Sequence, residues 1–391
     1  MKKTIYFLSA SDRLNYGDLL FPIIFYNVIK GINPDVCINN YGLIKSDLTY
    51  FGALKTKSYR EFYNDINRDG GNIIIGGGEV LFSSWRVLYS FISPLYSKLS
   101  SSYKFKAFED KLNFTKYLLS NGAINYPFSP NKNNFSSKVT LQYNSVGGGF
   151  YGINNDKKTL SLVNNMMSSD YNSVRDIRAK KSLIKKGIAS QLCPDSALIM
   201  SDFFPENILK KEITININTL PKKYIFLQIG KNKGPKDIVE FSSNIIKQAE
   251  LMNMGIVLCP IGQSPNHEDQ DILNRIKSLS SRFSLITPEN IYDIMYLISK
   301  SSAYIGTSLH GLITAQSYNT PFIPLNKKIS KLDAYCSTWA KDVIPGSIEF
   351  LEIDQLEKII SNWDHEKMSS LTEQQKKQVY NNFNTIYSNL I

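Results

Sequence analysis

The amino-acid sequence predicts an α/β protein built from two doubly wound parallel-sheet domains that face a cleft. Short apolar strands repeatedly end in a glycine turn before an amphipathic helix, a pattern that is typical of parallel sheets. The chain has 391 residues, more than one hydrophobic core usually serves. Its hydrophobic fraction of 42% and charged fraction of 20% are those of a globular protein. We therefore expect two consecutive domains of similar design.

The first predicted domain covers residues 1–205 and begins with a strand over Thr4–Leu8. A turn at Asn15-Tyr16-Gly17-Asp18 follows, and a helix is expected over Leu19–Lys30 with Asp18 as its N-cap. Three more strands are predicted at Asn72–Ile75, Tyr143–Val146 and Tyr171–Val174. They end in Gly76-Gly77-Gly78, in Gly147-Gly148-Gly149 and in Arg175-Asp176. Ligands bind at the carboxyl ends of parallel strands, so these turns are candidate binding loops.

A segment of the first domain, about residues 82–137, interrupts this alternation and is predicted to be an insertion. It is rich in aromatic residues, serine and lysine, and includes Trp85, Tyr89, Phe91 and Tyr96. Two interpretations stay open. The segment is either a set of amphipathic helices covering the sheet, or a surface for a membrane interface or a sugar-lipid acceptor.

Residues 206–223 are polar and without a clear period, and they are predicted to link the domains. The second domain, residues 224–391, repeats the alternation. Its predicted strands are Tyr224–Ile229, Gly255–Cys259 and Ser284–Ile286, and its predicted helices are Asp237–Met252, Asp269–Ser278, Asn290–Ser299 and Gln374–Asn389. Two doubly wound domains facing a cleft are the architecture called GT-B.

Charge and composition narrow the classes of partner. The net charge is +11, which suits anionic partners in general. The lysines are scattered and no recognition motif occurs, so a nucleic-acid partner is not expected. The four cysteines form no CxxC pair and indicate reduced cytosolic thiols. No apolar run has the length of about 18 residues that a membrane span needs, so we expect a cytoplasmic protein.

The most informative stretch runs from Ala303 to Ala315. A short apolar strand leads into the turn Gly306-Thr307-Ser308, and apolar residues then recur at helical spacing. His310 is thereby predicted in the first turn of a helix, beside free backbone N–H groups and the positive end of the helix dipole. Such a position binds anions, and histidine can move a proton near neutral pH.

Taken in order, the motifs resemble those of the polysaccharide pyruvyltransferase family over nearly the whole chain. The motifs are Asn15-x-Gly17-Asp18, the two triple-glycine turns, Val174-Arg175-Asp176, Pro194-Asp195, Gly306-Thr307-Ser308-Leu309-His310 and Lys331-Leu332-Asp333-Ala334-Tyr335. No single motif is specific, but the ordered set is. The resemblance implies a GT-B-like fold, phosphoenolpyruvate as donor, and transfer of pyruvate as a ketal onto two hydroxyls of a glycan sugar. The family often has arginine where this chain has Ser308.

Phosphoenolpyruvate carries a phosphate and a carboxylate, so its pocket needs several cationic or N–H donors. Arg175 offers a planar fork for oxyanions, held by Asp176. The other predicted donor-binding residues are Gly230, Lys231, Lys233, Thr307, Ser308 and Gly311. An ion-paired arginine across the sheet end and a solvated charged loop are the structural alternatives. No cofactor beyond phosphoenolpyruvate as co-substrate is expected. No metal is predicted either, because Cys259, His267, Glu268 and Asp269 match no zinc spacing.

His310 is the predicted general acid or base, and Asp18 and Glu79 are candidate bases on the acceptor hydroxyls. The acceptor, a lipid-linked or nucleotide-linked glycan, is expected in the first domain. Its predicted contacts are Asn15, Tyr16, Gly77, Gly78, Gly148, Trp85 and Tyr89. We expect the protein at the inner face of the cell membrane, with peripheral contact to it. The alternatives are a GT-B glycosyltransferase using a nucleotide sugar and an inactive glycan- or anion-binding protein.

Overall fold

The computed structural model describes residues 3–122, 124–153, 155–266, 268–344 and 346–391. They divide into two compact units. Unit 1 comprises residues 1–196, 264–266 and 377–391, and unit 2 comprises residues 197–263 and 267–376. The division therefore falls at residue 196, where the sequence prediction places residues up to 205 in the first domain.

Unit 1 contains a six-stranded parallel sheet. Its strands are β1 (Thr4–Leu8), β2 (Cys37–Tyr41), β3 (Gly71–Gly76), β4 (Val139–Val146), β5 (Tyr171–Val174) and β6 (Gln191–Leu192). They lie in the order β2-β1-β3-β4-β5-β6. All eight residues of β4 are buried, because a central parallel strand is covered on both faces. The strands predicted at Thr4–Leu8 and Tyr171–Val174 are confirmed to the residue.

Eight helices of unit 1 connect or cover these strands. They are α1 (Tyr16–Ile32), α2 (Tyr59–Asp69), α3 (Trp85–Ser90), α4 (Pro94–Ser100), α5 (Tyr103–Leu112), α6 (Phe114–Ser120), α7 (Asp156–Met167) and α8 (Ile177–Ile184). The predicted insertion thus contains the four short helices α3 to α6. Its helical character is confirmed.

Unit 2 contains a five-stranded parallel sheet in the order β11-β10-β7-β8-β9. Its strands are β7 (Tyr224–Gln228), β8 (Gly255–Leu258), β9 (Phe283–Leu285), β10 (Ala303–Gly306) and β11 (Phe322–Pro324). Its helices are α9 (Met200–Phe203), α10 (Glu206–Glu212), α11 (Ile238–Leu251), α12 (Gln270–Lys277), α13 (Ile291–Ser299), α14 (Leu309–Ser317), α15 (Ser330–Trp339) and α16 (Leu356–Ser361). A final helix, α17 (His365–Ser388), starts in unit 2 and reaches unit 1.

The predicted linker is partly ordered structure of unit 2. Within residues 206–223, α10 occupies seven residues and buries Leu209. The amide of Thr214 then donates to the Asp293 carboxylate at 2.8 Å. The helical periodicity of this polar stretch is not visible in the sequence, because the helix is only about two turns long.

The end of the chain belongs with unit 1, whereas the sequence prediction assigned residues up to 391 to the second domain. Phe383 packs its ring 5.8 Å from that of Phe25. Gln142 Nε2 donates to the carbonyl of Ile386 at 3.2 Å, and Asn382 Nδ2 donates to Asn144 Oδ1 at 2.8 Å. The segment therefore covers polar side chains of the central strand β4.

Candidate active site

Each sheet has one point where the strand order reverses, and ligands of doubly wound folds bind beside such points. In unit 1 the reversal lies between β1 and β3, because the chain steps from β1 to β2 on one side and returns to β3 on the other. In unit 2 it lies between β7 and β10. The loops that follow β1, β3 and β7 contain Asn15, Gly77 and Lys231, and the loop after β10 leads into the helix that carries His310.

The reversal in unit 2 places His310 at the start of α14. Ser308 is the N-cap of this helix, and its hydroxyl accepts from the Gly311 amide at 3.4 Å. His310 is therefore the second helical residue, and its side chain is partly exposed. The prediction that this histidine lies in the first turn of a helix after a buried strand is confirmed. Ser308 thus has a local role as the helix cap.

Two glycines of this loop make room for one tyrosine. The buried Tyr304 hydroxyl donates to the carbonyl of Ser308 at 3.1 Å. A Cβ on Gly306 would lie 2.5 Å from this hydroxyl, and a Cβ on Gly311 would overlap it. The close approach explains why both positions need glycine. The predicted donor contact of Gly311 stays a prediction beside this structural role.

Thr307 is a fully buried tie between the loops after β7 and β10. Its hydroxyl accepts from the Gly230 amide at 2.8 Å, and its own amide donates to Gln228 Oε1 at 3.1 Å. The sequence prediction gave Thr307 and Gly230 to donor binding, whereas both polar groups hold the loops to each other. Their physical role in the structure is to fix the position of the His310 helix.

Asp269 extends this network and was missed by the sequence reasoning as a site residue. It is 3% exposed, and its Oδ2 accepts from Gln228 Nε2 at 2.7 Å and from the amides of Ile261 and Gly262. Burial raises the pKa of Asp269, and these hydrogen bonds and the nearby Lys233 offset the rise only in part. An acidic residue before a predicted helix indicates a cap, so the sequence held no signal for this burial.

The two lysines of the loop after β7 differ in their surroundings. Lys231 Nζ pairs with Glu268 at 2.7 Å, and this hydrogen bond raises the pKa of Lys231. Both side chains of the pair are 38% exposed, so the pair contributes little stability and can exchange for another anion. The backbone of Lys233 is fixed, since its carbonyl accepts from Asn326 Nδ2 at 3.1 Å.

The reversal in unit 1 contains a buried ion pair that sequence reasoning missed. Arg13 donates through Nε and Nη2 to Asp18 Oδ2, at 3.1 and 2.9 Å, and Asn15 Nδ2 donates to the same oxygen at 2.8 Å. Arg13 Nη1 is buried without a hydrogen-bond partner among the described residues. The guanidinium lies 5.3 Å from the centre of the Phe91 ring. A buried nitrogen of this kind is a candidate ligand contact.

The helix prediction around Asp18 was wrong at its start. The helix begins at Tyr16, with Asn15 as N-cap, so Asp18 lies inside the first turn. The physical reason is the pair with Arg13, which uses the carboxylate that a cap would need. Tyr16 is fully buried, so its predicted contact with an acceptor is not available in this structure. Asn15 is partly exposed and its acceptor contact stays a prediction.

The triple-glycine turns pack closely in unit 1. A Cβ on Gly77 would overlap the Phe21 ring, so this glycine allows the loop to approach α1. Gly78 has φ of +78° and leaves room beside Asp18 Oδ1, which would lie 3.3 Å from a Cβ there. Gly148 pairs with Leu81 as an isolated β-bridge. The Gly147 amide donates to the carbonyl of Gly78 at 2.8 Å, so the two turns contact each other at the carboxyl edge of the sheet.

Arg175 is 2% exposed and pairs through Nη1 with Asp195 Oδ2 at 3.0 Å. Burial alone would lower the pKa of Arg175, but Asp195 and the more distant Glu79 and Asp176 raise it. Asp195 is thus the residue that holds the guanidinium. Asp176, which the sequence analysis gave that role, instead caps α8 by accepting from the Ala179 amide at 2.8 Å.

Glu79, the other base candidate of unit 1, is held by an arginine. Arg178 Nη2 of α8 lies 2.5 Å from Glu79 Oε1, and its guanidinium lies 4.5 Å from the centre of the Tyr151 ring. Arg178 was not predicted as a site residue from the sequence.

The two aromatic residues predicted to contact the acceptor have different environments. Trp85 is 3% exposed, its Nε1 donates to the carbonyl of Ile124 at 2.8 Å, and its ring lies 4.7 Å from that of Tyr59. Trp85 therefore belongs to the core of unit 1, and its prediction as an acceptor residue is corrected. Tyr89 is partly exposed and packs edge-on against Tyr96, so its role stays a prediction.

Among the described residues, no three His, Cys, Asp or Glu side chains come together in a group that could hold a metal ion. His267, which the sequence analysis weighed as part of such a group, lies outside the described residues. The part of the chain that the structure describes also contains no helix long and apolar enough to cross a bilayer.

Comparison with known proteins adds a family and a fold. A family model described as polysaccharide pyruvyl transferase matches residues 15–327. No curated protein matches the chain. The matched range begins at Asn15, the last residue before α1, includes the loops after β3, β7 and β10, and ends shortly after β11.

Solved structures resemble the chain over nearly its full length. UDP-N-acetylglucosamine 2-epimerase from Rickettsia bellii is 12% identical with a TM-score of 0.57, covering 99% of this chain and 96% of that one. The Neisseria meningitidis UDP-GlcNAc 2-epimerase bound to UDP-GlcNAc is 13% identical with a TM-score of 0.52, covering 99% of both. S. aureus MnaA with UDP is 11% identical with a TM-score of 0.54, covering 95% of this chain and 91% of that one. These likenesses show the fold alone and confirm the predicted GT-B fold.

Proposed function

Because this chain belongs to the polysaccharide pyruvyl transferase family, we propose that it transfers pyruvate from phosphoenolpyruvate, as a ketal, onto two hydroxyls of a sugar in a surface polysaccharide precursor. The observation that carries the proposal is His310, a partly exposed histidine in the first turn of α14 at the strand reversal of unit 2. This position supplies both a titratable group and helix N-terminal amides to an anionic substrate.

The donor side of the proposal lies in unit 2. The phosphate and carboxylate of phosphoenolpyruvate need cations and N–H donors. We assign the first amides of α14, Lys233 and His310 to the donor, and Lys231 joins them by exchanging Glu268 for the donor phosphate. The tie between Thr307 and Gly230 holds these two loops at a fixed distance before the donor binds. Such preorganisation lowers the cost of ordering the site during the reaction.

The protons transferred in the proposed reaction define a role for His310. Each turnover adds a proton to the methylene carbon of phosphoenolpyruvate, forms two C–O bonds from acceptor hydroxyls, and breaks the C–O bond to phosphate. The reaction balances because the acceptor hydroxyls lose two protons. The new methyl group gains one proton, and the leaving phosphate gains the other. His310 in its protonated form would deliver the methyl proton, or hold the leaving phosphate, as a general acid.

The acceptor side of the proposal lies in unit 1. Asp18 would accept the proton of an attacking hydroxyl, with Arg13 and Asn15 fixing one of its oxygens and Gly78 leaving room beside the other. The buried Nη1 of Arg13 would bind an acceptor oxygen. Glu79 is the second candidate base and would have to leave Arg178. We place the acceptor on a lipid carrier and the enzyme at the cytoplasmic face of the membrane.

The experiment incubates the purified chain with phosphoenolpyruvate and with methyl hexosides and hexosaminides, free or attached to a diphosphate lipid. We expect acceptor-dependent phosphate release and a pyruvate ketal detected by mass spectrometry. In D2O the ketal methyl group should carry one deuterium, because one of its hydrogens comes from an exchangeable acid. Activity should survive EDTA, since cationic side chains are available to neutralise the donor.

Three outcomes would contradict the proposal. Consumption of a UDP-sugar, with phosphoenolpyruvate untouched, would show a glycosyltransferase instead. A thermal shift by phosphoenolpyruvate without turnover of any acceptor would show an anion-binding protein that has lost the chemistry. Loss of activity in EDTA that magnesium or manganese restores would favour the nucleotide-dependent enzyme.

A further inference from the structure

The helices α4 to α6, residues 94–120, leave an unusual amount of apolar surface exposed. The described part of the chain exposes 22 large hydrophobic side chains, and eight of them lie in these 27 residues. We call these eight the docking face: Leu95, Leu99, Tyr103, Phe108, Leu112, Phe114, Tyr117 and Leu118. Tyr103 is 84% and Leu95 is 75% exposed, so packing within the unit does not account for them. Exposed large apolar residues at this density are typical of an interaction site.

The spacing along each helix places these side chains on shared faces. Leu95 and Leu99 are four residues apart on α4, and so are Phe108 and Leu112 on α5. Across the turn between α5 and α6, the rings of Phe108 and Phe114 lie 6.2 Å apart. The docking face is therefore continuous across this turn.

Helix α5 has almost no core of its own. Glu109 is its one buried residue, held by Thr115 and by the Tyr96 hydroxyl at 3.2 Å. Phe105 is partly buried, with its ring 5.3 Å from that of Tyr96, whereas Tyr103, Phe108 and Leu112 are exposed. A helix with so little burial and so many exposed apolar residues is typical of an interfacial helix, whose apolar side enters the headgroup region of a bilayer.

The charges around the docking face select the partner. Residues 94–120 contain five lysines and two acidic residues, a net charge of +3. Four of the lysines, Lys98, Lys104, Lys106 and Lys111, are exposed. Apolar and basic groups in one exposed segment complement an anionic lipid surface, which attracts each lysine and accepts the apolar side chains.

A cavity beside these helices has matching chemistry. It has a volume of about 350 Å³, and its lining includes Asn113 in the turn between α5 and α6 and Lys116 on α6. Arg86, Lys157 and Lys158 also line it, so four cations face two acidic residues, Glu109 and Asp110. The excess of positive charge favours a phosphate group next to the docking face.

We infer that α4 to α6 form the surface by which this protein docks on an anionic bilayer, with lipid phosphate as the polar group it binds. The inference rests on the proposed function only in that a lipid-linked acceptor gives such docking a purpose. It replaces the residues expected from the sequence, because Trp85 and Tyr96 are buried and do not reach a membrane. Leu95, Leu99 and Tyr103 take their place.

The experiment measures co-sedimentation of the full chain with phosphatidylcholine vesicles, with and without phosphatidylglycerol. Three variants are compared with the unaltered protein. The apolar variant combines Leu95→Ser, Leu99→Ser and Tyr103→Ser. The charge variant combines Lys98→Gln, Lys104→Gln, Lys106→Gln and Lys111→Gln. The matched control combines Leu160→Ser and Met167→Ser on α7, whose side chains are 62% and 57% exposed.

We expect the unaltered protein and the control to bind the anionic vesicles, with salt weakening the binding. The apolar variant should bind at least about tenfold more weakly, because it loses the side chains that enter the interface. The charge variant should lose its preference for phosphatidylglycerol and its salt dependence. All substituted residues are exposed, so thermal unfolding should be unchanged in every variant.

Equal binding by the apolar variant and the control would overturn the inference. So would the absence of binding by the unaltered protein. If that protein is a dimer that the apolar variant dissociates, and vesicles are not bound, the docking face is an interface between copies. Vesicle binding needs no phosphoenolpyruvate, so it can succeed where the proposed function fails. Transfer onto free methyl hexosides without vesicle binding would retain the function and exclude the docking.

Discussion

The strand reversals of the two units have opposite electrostatic designs. In unit 1 the arginines near the sheet edge are already neutralised, because Arg13 pairs with Asp18 and Arg175 with Asp195, both buried. In unit 2 the loops are held by the neutral network of Gln228 and Thr307, His310 is partly exposed, and the partly exposed ion pair of Lys231 with Glu268 can exchange for another anion. The comparison teaches that an incoming anion finds its counter-charge more readily in unit 2.

The energetic consequences also differ between the units. A buried ion pair contributes little relative to an apolar pair, but removing one partner leaves a buried charge and is strongly destabilising. Unit 1 is therefore sensitive to single substitutions of its charges. In unit 2 the histidine is partly exposed, so its loss should affect the reaction and leave folding intact.

His310→Ala tests this contrast with the largest expected effect. We expect kcat for ketal formation to fall by a factor of about 10² to 10⁴, the usual contribution of a general acid or base. The midpoint of thermal unfolding should stay unchanged. His365→Ala, at the exposed start of α17, is the matched control and should retain full activity. Near-normal turnover by the His310 variant would remove it from the mechanism.

Asp195→Asn and Arg175→Lys test the buried pair of unit 1. Asp195→Asn should lower the free energy of unfolding by about 3–5 kcal/mol, because it leaves the Arg175 guanidinium without its carboxylate. Urea unfolding measures this loss. Arg175→Lys keeps the charge and removes the planar fork. If Arg175 contacts the donor, this substitution should raise the KM for phosphoenolpyruvate. An unchanged KM with lowered stability would make Arg175 a structural residue of unit 1.

Asp269→Asn tests the buried carboxylate that accepts from Gln228 in unit 2, through the pH dependence of the free energy of unfolding. Burial raises the pKa of Asp269 in the folded state above its unfolded value, so the folded chain holds this proton more tightly. Its contribution to stability is complete below the unfolded pKa, near about 3.9, and is lost as pH rises through the folded pKa. The slope approaches about 1.4 kcal/mol per pH unit in that window. The variant should show a smaller slope in urea unfolding measured from pH 4 upward, and an identical slope would contradict the assignment.

Ser308→Ala should have the smallest effect of these substitutions. Loss of the helix cap should lower the free energy of unfolding by about 1 kcal/mol. Ser308→Asp is the rescue, since aspartate caps equally well. If both variants keep normal stability, the cap contributes nothing, and a role for Ser308 in donor binding becomes the better explanation for any change in KM.

Much of the fold was predictable because parallel strands followed by glycine turns are a local pattern. The strand and helix around His310 followed from apolar spacing and small residues alone. Even the strand at Tyr171–Val174 was located to the residue. The GT-B fold then followed from the repetition of this unit along the chain.

What escaped prediction depends on contacts between distant residues. The partner of Arg175 is Asp195, twenty positions away, whereas its neighbour Asp176 is used as a helix cap. The ion pair of Asp18 with Arg13, five residues earlier, depends on how the loop between β1 and α1 folds, so the sequence did not indicate it. Aromatic composition likewise did not distinguish the buried Trp85 from the exposed Tyr103, because that distinction is made by tertiary packing.

Amide hydrogen exchange with phosphoenolpyruvate as the one added ligand tests most directly the claim that unit 2 binds the donor. Ligand contact and ordering slow the exchange of local amides. We predict slower exchange in peptides covering residues 230–234 and 307–311, with residues 76–79 unchanged. Protection confined to residues 76–79, or protection of unit 2 by UDP-GlcNAc and none by phosphoenolpyruvate, would contradict the account.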